Sequence, residues 1–408
     1  MTDDAISIGG VDLADPATYA SGVPFDAFRK LRESAPVAWH PYQDGPGFLA
    51  LTGYDEVVAV SRDSATWSSQ ATGVYFDVPG PDDIADQRGV MMLTMDPPRH
   101  TALRVLVSKG FKPRQVAKLN ERITDMARDV VDSVIERGEC DFVTDVAGAL
   151  PSYVIAEMLG IPLEDGCRLY ELTEIMNTGA IGGSRAIRAA AEMFGYSREL
   201  VARKRSDPCD DIATSLLHAE VDGQRLSERE FNFLFMLLIN AGGDTTRNLV
   251  AGGMCALMDY PDERAKLEAE PPLLPTAVEE MLRYVSTFIA FFRTATKDTE
   301  LRGVPVKEGD RVAMFYPSAN RDEARFTDPE RFDVTRKPNP HLAFGGGGTH
   351  FCLGASLARV EATALVAEVL SRMKNMELAG PIERMPSTLI NGIHSMPVRF
   401  TPARRVGD

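Results

Sequence analysis

His341-Leu342-Ala343-Phe344-Gly345-Gly346-Gly347-Gly348-Thr349-His350-Phe351-Cys352-Leu353-Gly354 decides how this chain is read. Four consecutive glycines are costly to order, because each loses more backbone freedom on folding than any other residue. Such a run suits a loop that something flat approaches closely. Good helix formers follow from Ala355 through Ala362, so Cys352 falls at a loop-to-helix junction. The partial positive charge at a helix N-terminus lowers a thiol pKa and favours the thiolate, the form that binds metal. A lone Cys beside glycines also reads as a turn followed by a small buried residue. The stretches that accompany it decide between the two.

Phe231 to Ala241 is apolar around most of a helix, which requires burial on nearly every side. Gly242 and Gly243 interrupt it at about 1 kcal/mol each relative to Ala. Asp244, Thr245 and Thr246 follow at once. A kinked core helix with threonine hydroxyls bonded back to carbonyls accounts for everything except Asp244. Glu280-Met281-Leu282-Arg283 is by itself an ordinary i, i+3 ion pair. In Met95-Asp96-Pro97-Pro98-Arg99-His100 the prolines start a helix, which sets His100 and Arg104 one turn apart on one face. Alone, that pair is a solvated basic patch. Phe291 to Thr296 reads as a strand, in which a single Arg293 ordinarily faces water.

Taken in this order, the stretches resemble the cytochrome P450 superfamily, the haem-thiolate monooxygenases. The resemblance implies a mainly α fold. One large helical domain with small β-sheets would span residues 1–408, with haem between an oxygen-activating helix and the Cys loop. It implies Cys352 as the axial ligand of haem b, with Phe344, His350 and Gly354 as the other counterparts in the loop and Ala241 against the cofactor. His100, Arg104, Arg293 and His350 would surround the two propionates, where charge-assisted hydrogen bonds are strong. Asp244 and Thr245 would relay protons to dioxygen. Glu280 and Arg283 would form a buried structural triad with Arg331 of Pro329-Glu330-Arg331-Phe332. The interval from Phe344 to Cys352 is one residue longer than the usual signature. It is similar to that of a bacterial subgroup acting on sterol side chains, terpenoids and methyl-branched lipids.

Alignment to these motifs implies a substrate cavity walled by Leu93, Leu237, Asn240, Ala241, Ile289, Phe291 and Ile390. Val74, Tyr75 and Phe76, exposed-looking in the turn-rich stretch 70–90, would cover its mouth. The set is apolar apart from Asn240 and the Tyr75 hydroxyl. It implies hydroxylation of an apolar, branched lipid or isoprenoid, with a small aromatic or polyketide-type substrate as the alternative. A haem-thiolate sensor is a reading of another class; the Asp244–Thr245 pair argues against it.

A net charge of −15 argues against general nucleic-acid binding. Five scattered cysteines (140, 167, 209, 255 and 352) fit free thiols in a reducing compartment. The start has no secretory pattern and no apolar run could span a bilayer, so a cytoplasmic protein without a membrane anchor is expected. No Gly-x-Gly-x-x-Gly fingerprint follows a strand, so electrons would come from a ferredoxin and its reductase. Lys109, Lys112 and Arg114 are candidates for docking them. Helical spacing is read at 24–35, 55–61, 115–138, 151–159 and, with a flexible join at 177–184, over 164–205. Strands are read at 37–39 and 48–51, and a hairpin at the tail around Pro397 to Phe400.

Overall fold

The computed structural model describes residues 10–43, 45–78, 87–178, 184–221 and 223–406. Most of the join at 177–184 and the middle of the 70–90 stretch lie outside them. Helices predominate. The helix Pro113–Ile135 opens with Pro at its first position, where a missing N–H costs nothing. It buries Val116, Ile123, Met126, Ala127, Val130, Val131 and Val134, the helical stripe of an amphipathic segment. That stripe packs on the helix Ala355–Arg372, which begins just after Cys352.

The helix Glu228–Asp259 runs through the middle of the main core. Its 32 residues make it about 48 Å long at ~1.5 Å per residue. Its start is fixed by a capping box between Ser227 and Glu230. It touches the helices Ala149–Leu159, Leu163–Thr178, Leu274–Val285 and Ala355–Arg372, which is why its sequence is apolar all round.

A five-stranded sheet lies beside this bundle, in the order Val37–His40, Phe48–Leu51, Arg311–Phe315, Ala290–Ala295, Trp67–Ser68. Only the Phe48–Leu51 and Arg311–Phe315 pair is parallel. Alternation divides its residues between two cores. Phe48, Ala50, Phe292, Ala313 and Phe315 pack on Phe28 and Leu31, whereas Leu49, Leu51, Val312 and Met314 pack on Val57 and Val60.

Two expectations need correction. Pro397–Arg399 forms no hairpin of its own; it pairs with Glu139–Asp141 and Glu377–Leu378. Val74 and Phe76 are buried, not exposed, because this segment docks on the sheet: Phe292 N–H donates to Val74 O at 2.9 Å.

Candidate active site

The Cys loop is shaped by what it lies on. Gly345, Gly347 and Gly348 have φ of +92°, +95° and +75°, the left-handed region that favours glycine. A Cβ on Gly346 would sit 2.6 Å from Ser61 Oγ, and one on Gly348 would sit 2.3 Å from Ser61 O. Gly346 and Gly348 are thus required by the close approach of the helix Tyr54–Arg62, whose Arg62 Nε donates to Gly346 O at 3.1 Å. Cys352 N–H donates to Phe344 O at 2.9 Å, which turns the thiol outward, and Cys352 keeps accessible surface. Protein mass around the sulfur nevertheless pushes its pKa up; the Gly354 N–H and the guanidiniums of Arg104 and Arg359 oppose this without reversing it. The helix N-terminus alone does not make this thiol a thiolate; coordination to a metal cation would.

Arg359 ties the back of the loop down. Its guanidinium lies 4.5 Å from the Phe344 ring centre and donates to Glu279 at 2.5 and 2.9 Å. His341 Nε2 meets the same carboxylate at 3.0 Å. Burial alone would raise the Glu279 pKa, but Arg359 and His341 bring it down to about 2.

Beside the loop, four basic side chains crowd together. The rings of His100 and His350 are 4.1 Å apart, and both are flanked by Arg104 and Arg293. Burial first, and the neighbouring guanidiniums next, push His100 down to about 4 and His350 to about 2, so both are neutral at pH 7. Arg293 is 6% exposed and, among the described residues, its side chain bonds only the Phe292 carbonyl. His100 Nδ1 is buried without a partner. Among the described residues none of the four makes a salt bridge to a carboxylate. A buried cation is normally paired, so Arg293, with Arg104 and two neutral imidazoles able to donate beside it, fits a ligand with two carboxylates, as a haem has.

The long helix is open along one stripe. Leu237, Asn240, Ala241, Gly242 and Thr245 keep accessible surface, whereas the residues between them and on either side are buried. Thr245 Oγ1 donates to Ala241 O at 2.8 Å. Asp244 does not share the stripe: it is 1% exposed, faces the Tyr170 hydroxyl and lies 3.6 Å from Arg247 Nη2. Arg247 in turn binds Glu174. The glycines before Asp244 serve this packing. A Cβ on Gly243 would fall 2.5 Å from the Tyr170 ring, and one on Gly242 would fall 3.2 Å from Ile155. Thr246 Oγ1 donates to Glu361 at 3.0 Å and ties the long helix to the helix after Cys352; burial pushes Glu361 up to about 8.

Of the residues expected to wall a cavity, Leu93, Leu237, Asn240, Ala241, Tyr75 and Phe291 keep accessible surface. Val74 and Ile289 are 0% exposed, Ile390 3% and Phe76 8%, so these four lie mostly in the packed interior. Ile289 and Phe76 lie with Phe48 and Phe292 in the core on one side of the sheet.

The expected triad is also altered. Glu280 accepts from Arg283 Nε and Nη2 at 2.8 Å each and from Arg336 Nε at 3.1 Å on both oxygens. Arg331 contributes only its carbonyl; its side chain is 57% exposed and 3.6 Å from Glu263. Glu280→Gln leaves two buried guanidiniums facing a neutral amide and is expected to cost about 3–5 kcal/mol. Arg331→Ala removes an exposed contact and is expected to cost less than about 1 kcal/mol. Denaturant unfolding of the two variants checks this; equal losses would return Arg331 to the triad.

An outward-facing cysteine, a cationic cluster suited to two carboxylates and a buried helix open beside a threonine define a haem-thiolate oxygenase. The cytochrome P450 family profile matches residues 183–389. A steroid C26-monooxygenase of Rhodococcus jostii is 38% identical over 405 residues, covering 97% of this chain and 85% of that protein. A methyl-branched lipid omega-hydroxylase of Mycobacterium tuberculosis is 39% identical over 390 residues, covering 92% and 90%. A Mycobacterium marinum cytochrome P450 solved in complex with pseudoionone superposes with a TM-score of 0.90 at 37% identity, covering 96% of this chain and 98% of that one. The chain belongs to the cytochrome P450 family and is a monooxygenase, with haem as its cofactor and dioxygen as oxidant. Among the described residues no single helix is long and apolar enough to cross a membrane.

Proposed function

We propose that this protein is a cytoplasmic monooxygenase, one 408-residue domain, that hydroxylates an unactivated C–H bond of an apolar, branched lipid or isoprenoid. The observation that carries this reading is the lining. The accessible residues Leu93, Leu237, Ala241 and Phe291 are apolar, and only Asn240 and Tyr75 add polar groups. Such a site binds by burying surface, at roughly 25 cal/mol per Å², and orients its ligand with few polar contacts. Relatives named for steroids and methyl-branched lipids, at 38–39% identity, support the same class.

Haem b, held by Cys352 with its carboxylates among His100, Arg104, Arg293 and His350, supplies the oxygen-activating chemistry when bound, and a thiolate ligand favours O–O cleavage. The chain's own groups orient and deliver protons. Phe344 and Arg359 fix the loop that presents the sulfur. Thr245 stands on the open stripe with its hydroxyl on the Ala241 carbonyl. Asp244 is the proton carrier behind it, and must turn from Tyr170 and Arg247 to reach the threonine.

Electrons come from a ferredoxin and its reductase. Lys109, Lys112 and Arg114 are exposed, as are the apolar side chains of Val105 and Phe351, and Arg104 donates to the Phe351 carbonyl. Exposed basic and apolar side chains of this kind suit an acidic protein despite the net charge of −15.

Optical titration of the ferric protein tests the substrate class. Methyl-branched fatty acids, terpenoids or sterols are expected to shift the haem to high spin at micromolar concentrations. A response to small aromatic acids with none to these lipids would overturn the lipid reading and leave the monooxygenase intact.

A further inference from the structure

Asp96 belongs neither to the cationic cluster nor to the proton carriers, yet three parts of the haem site meet at it. The strand Trp67–Ser68 is the sheet edge beside Ala290–Ala295, with Ser68 opposite Thr294, the neighbour of Arg293. Ser68 and Ser69 are 4% and 1% exposed. Ser69 N–H donates to Asp96 Oδ1 at 2.8 Å, and Ser68 Oγ donates to Asp96 Oδ2. The direction of the second bond is fixed by counting. A serine hydroxyl has one proton and two lone pairs. The N–H groups of Gln70 and Ala71 donate to Ser68 Oγ at 3.0 and 2.9 Å and occupy the lone pairs, which leaves the proton for Asp96.

The bonds lead from Asp96 to both sides of the site. Ser69 Oγ lies 3.1 Å from His350 Nε2, and the ring of His350 also bonds the Met95 carbonyl. His350 stands two residues before Cys352 on the same loop. On the other side, Asp96 O accepts from His100 N–H at 3.0 Å, in the first turn of the helix Arg99–Val107 that carries His100 and Arg104. The negative charge of Asp96 also favours the charged forms of Arg293 and His100, against the pull of burial. An aspartate before a helix ordinarily caps it with its side chain. Here the helix has no side-chain cap, and the carboxylate is committed to the two serines instead.

We infer that Asp96 is a positioning residue of the haem site: through Ser68 and Ser69 it holds His350, and with it the Cys352 loop, in register with the helix of His100 and Arg104. This rests on the haem-site reading above and adds to it a residue that acts through others.

The test measures haem transfer from the ferric holoenzyme to apomyoglobin in Asp96→Asn, Ser69→Ala, His350→Ala and the doubles that join each of the first two to His350→Ala. Asparagine offers one acceptor oxygen where aspartate offers two, so one of the serines then faces an amide NH2. Each single variant is expected to speed haem loss about three- to tenfold, the range of one hydrogen bond. In the His350→Ala background, Asp96→Asn and Ser69→Ala should each add less than about twofold, because residues that act as a unit are lost only once. Equal acceleration by Asp96→Asn with and without His350 would make it a support of the fold alone and overturn the inference. No acceleration by Asp96→Asn, with His350→Ala still fast, overturns it too while the haem site stands. If His350→Ala itself leaves haem loss unchanged, the placing of His350 in the haem site fails, and this inference with it. Ser69→Ala removes a single hydroxyl, so its cycle with His350→Ala decides the matter should Asp96→Asn not fold: additive effects overturn the inference.

Discussion

A Cys352→Ser variant is expected to lose hydroxylation altogether, and with it the red-shifted carbonyl band that thiolate ligation gives the reduced protein. The other four cysteines offer no substitute. Burial pushes Cys140 up to about 12 and Cys255 up to about 11, so neither is a thiolate at neutral pH. Burial likewise raises Cys167, and Cys209 is on the surface. Cys352 alone combines an outward sulfur with the Gly354 N–H and two guanidiniums, Arg104 and Arg359. The cationic cluster is untouched by the substitution, so the variant should still retain haem, though more loosely. Carbon monoxide difference spectra of the reduced protein check this. Survival of the red-shifted band in Cys352→Ser would mean that another sulfur is the ligand, and the whole site would have to be moved.

Much of the site was legible because its chemistry is local. The order of glycines, His350, Cys352 and helix formers announces a presented sulfur, and Pro113 with its apolar stripe announces the helix that packs behind it. What was not legible depends on partners far away in the chain. Glu280 meets Arg336, not Arg331, because the turn after Pro329 aims one guanidinium inward and the other at Glu263; both arginines lie within a few residues, and sequence alone gives neither preference. Gly243 reads as a local weakness until the Tyr170 ring is seen against it. Val74 and Phe76 read as exposed because they stand in a turn-rich stretch, and the strand they dock on, at Phe292, lies far along the chain. Alignment to the family motifs puts Ile289 and Phe291 on one wall, but Ile289 precedes the regular strand and packs in the opposite core.

Asp244→Asn is expected to lower turnover about 100-fold, the lower end of what a positioned proton carrier contributes. Substrate-induced spin shifts should be unchanged, because Asp244 is 1% exposed and lies off the open stripe. The carboxylate is held on the packed side of the helix by Tyr170 and Arg247, with Glu174 behind them on the helix Leu163–Thr178. Thr245, one residue on, is where a proton is needed. A carrier in this arrangement works by exchanging one set of partners for the other, and an amide can exchange partners without carrying the proton. Thr245→Ala should separate from it: reducing equivalents are still consumed, but leave as hydrogen peroxide instead of hydroxylated product. Gly243→Ala should resemble Asp244→Asn with the acid still present, because a Cβ at 2.5 Å drives the Tyr170 ring away and disturbs the partners that position the carboxylate. Parallel measurement of electron consumption, peroxide and product, in water and in deuterium oxide, distinguishes the three. If Asp244→Asn turns over at the wild-type rate with full coupling and an unchanged solvent isotope effect, Asp244 is a structural partner of Arg247 and protons arrive by another route.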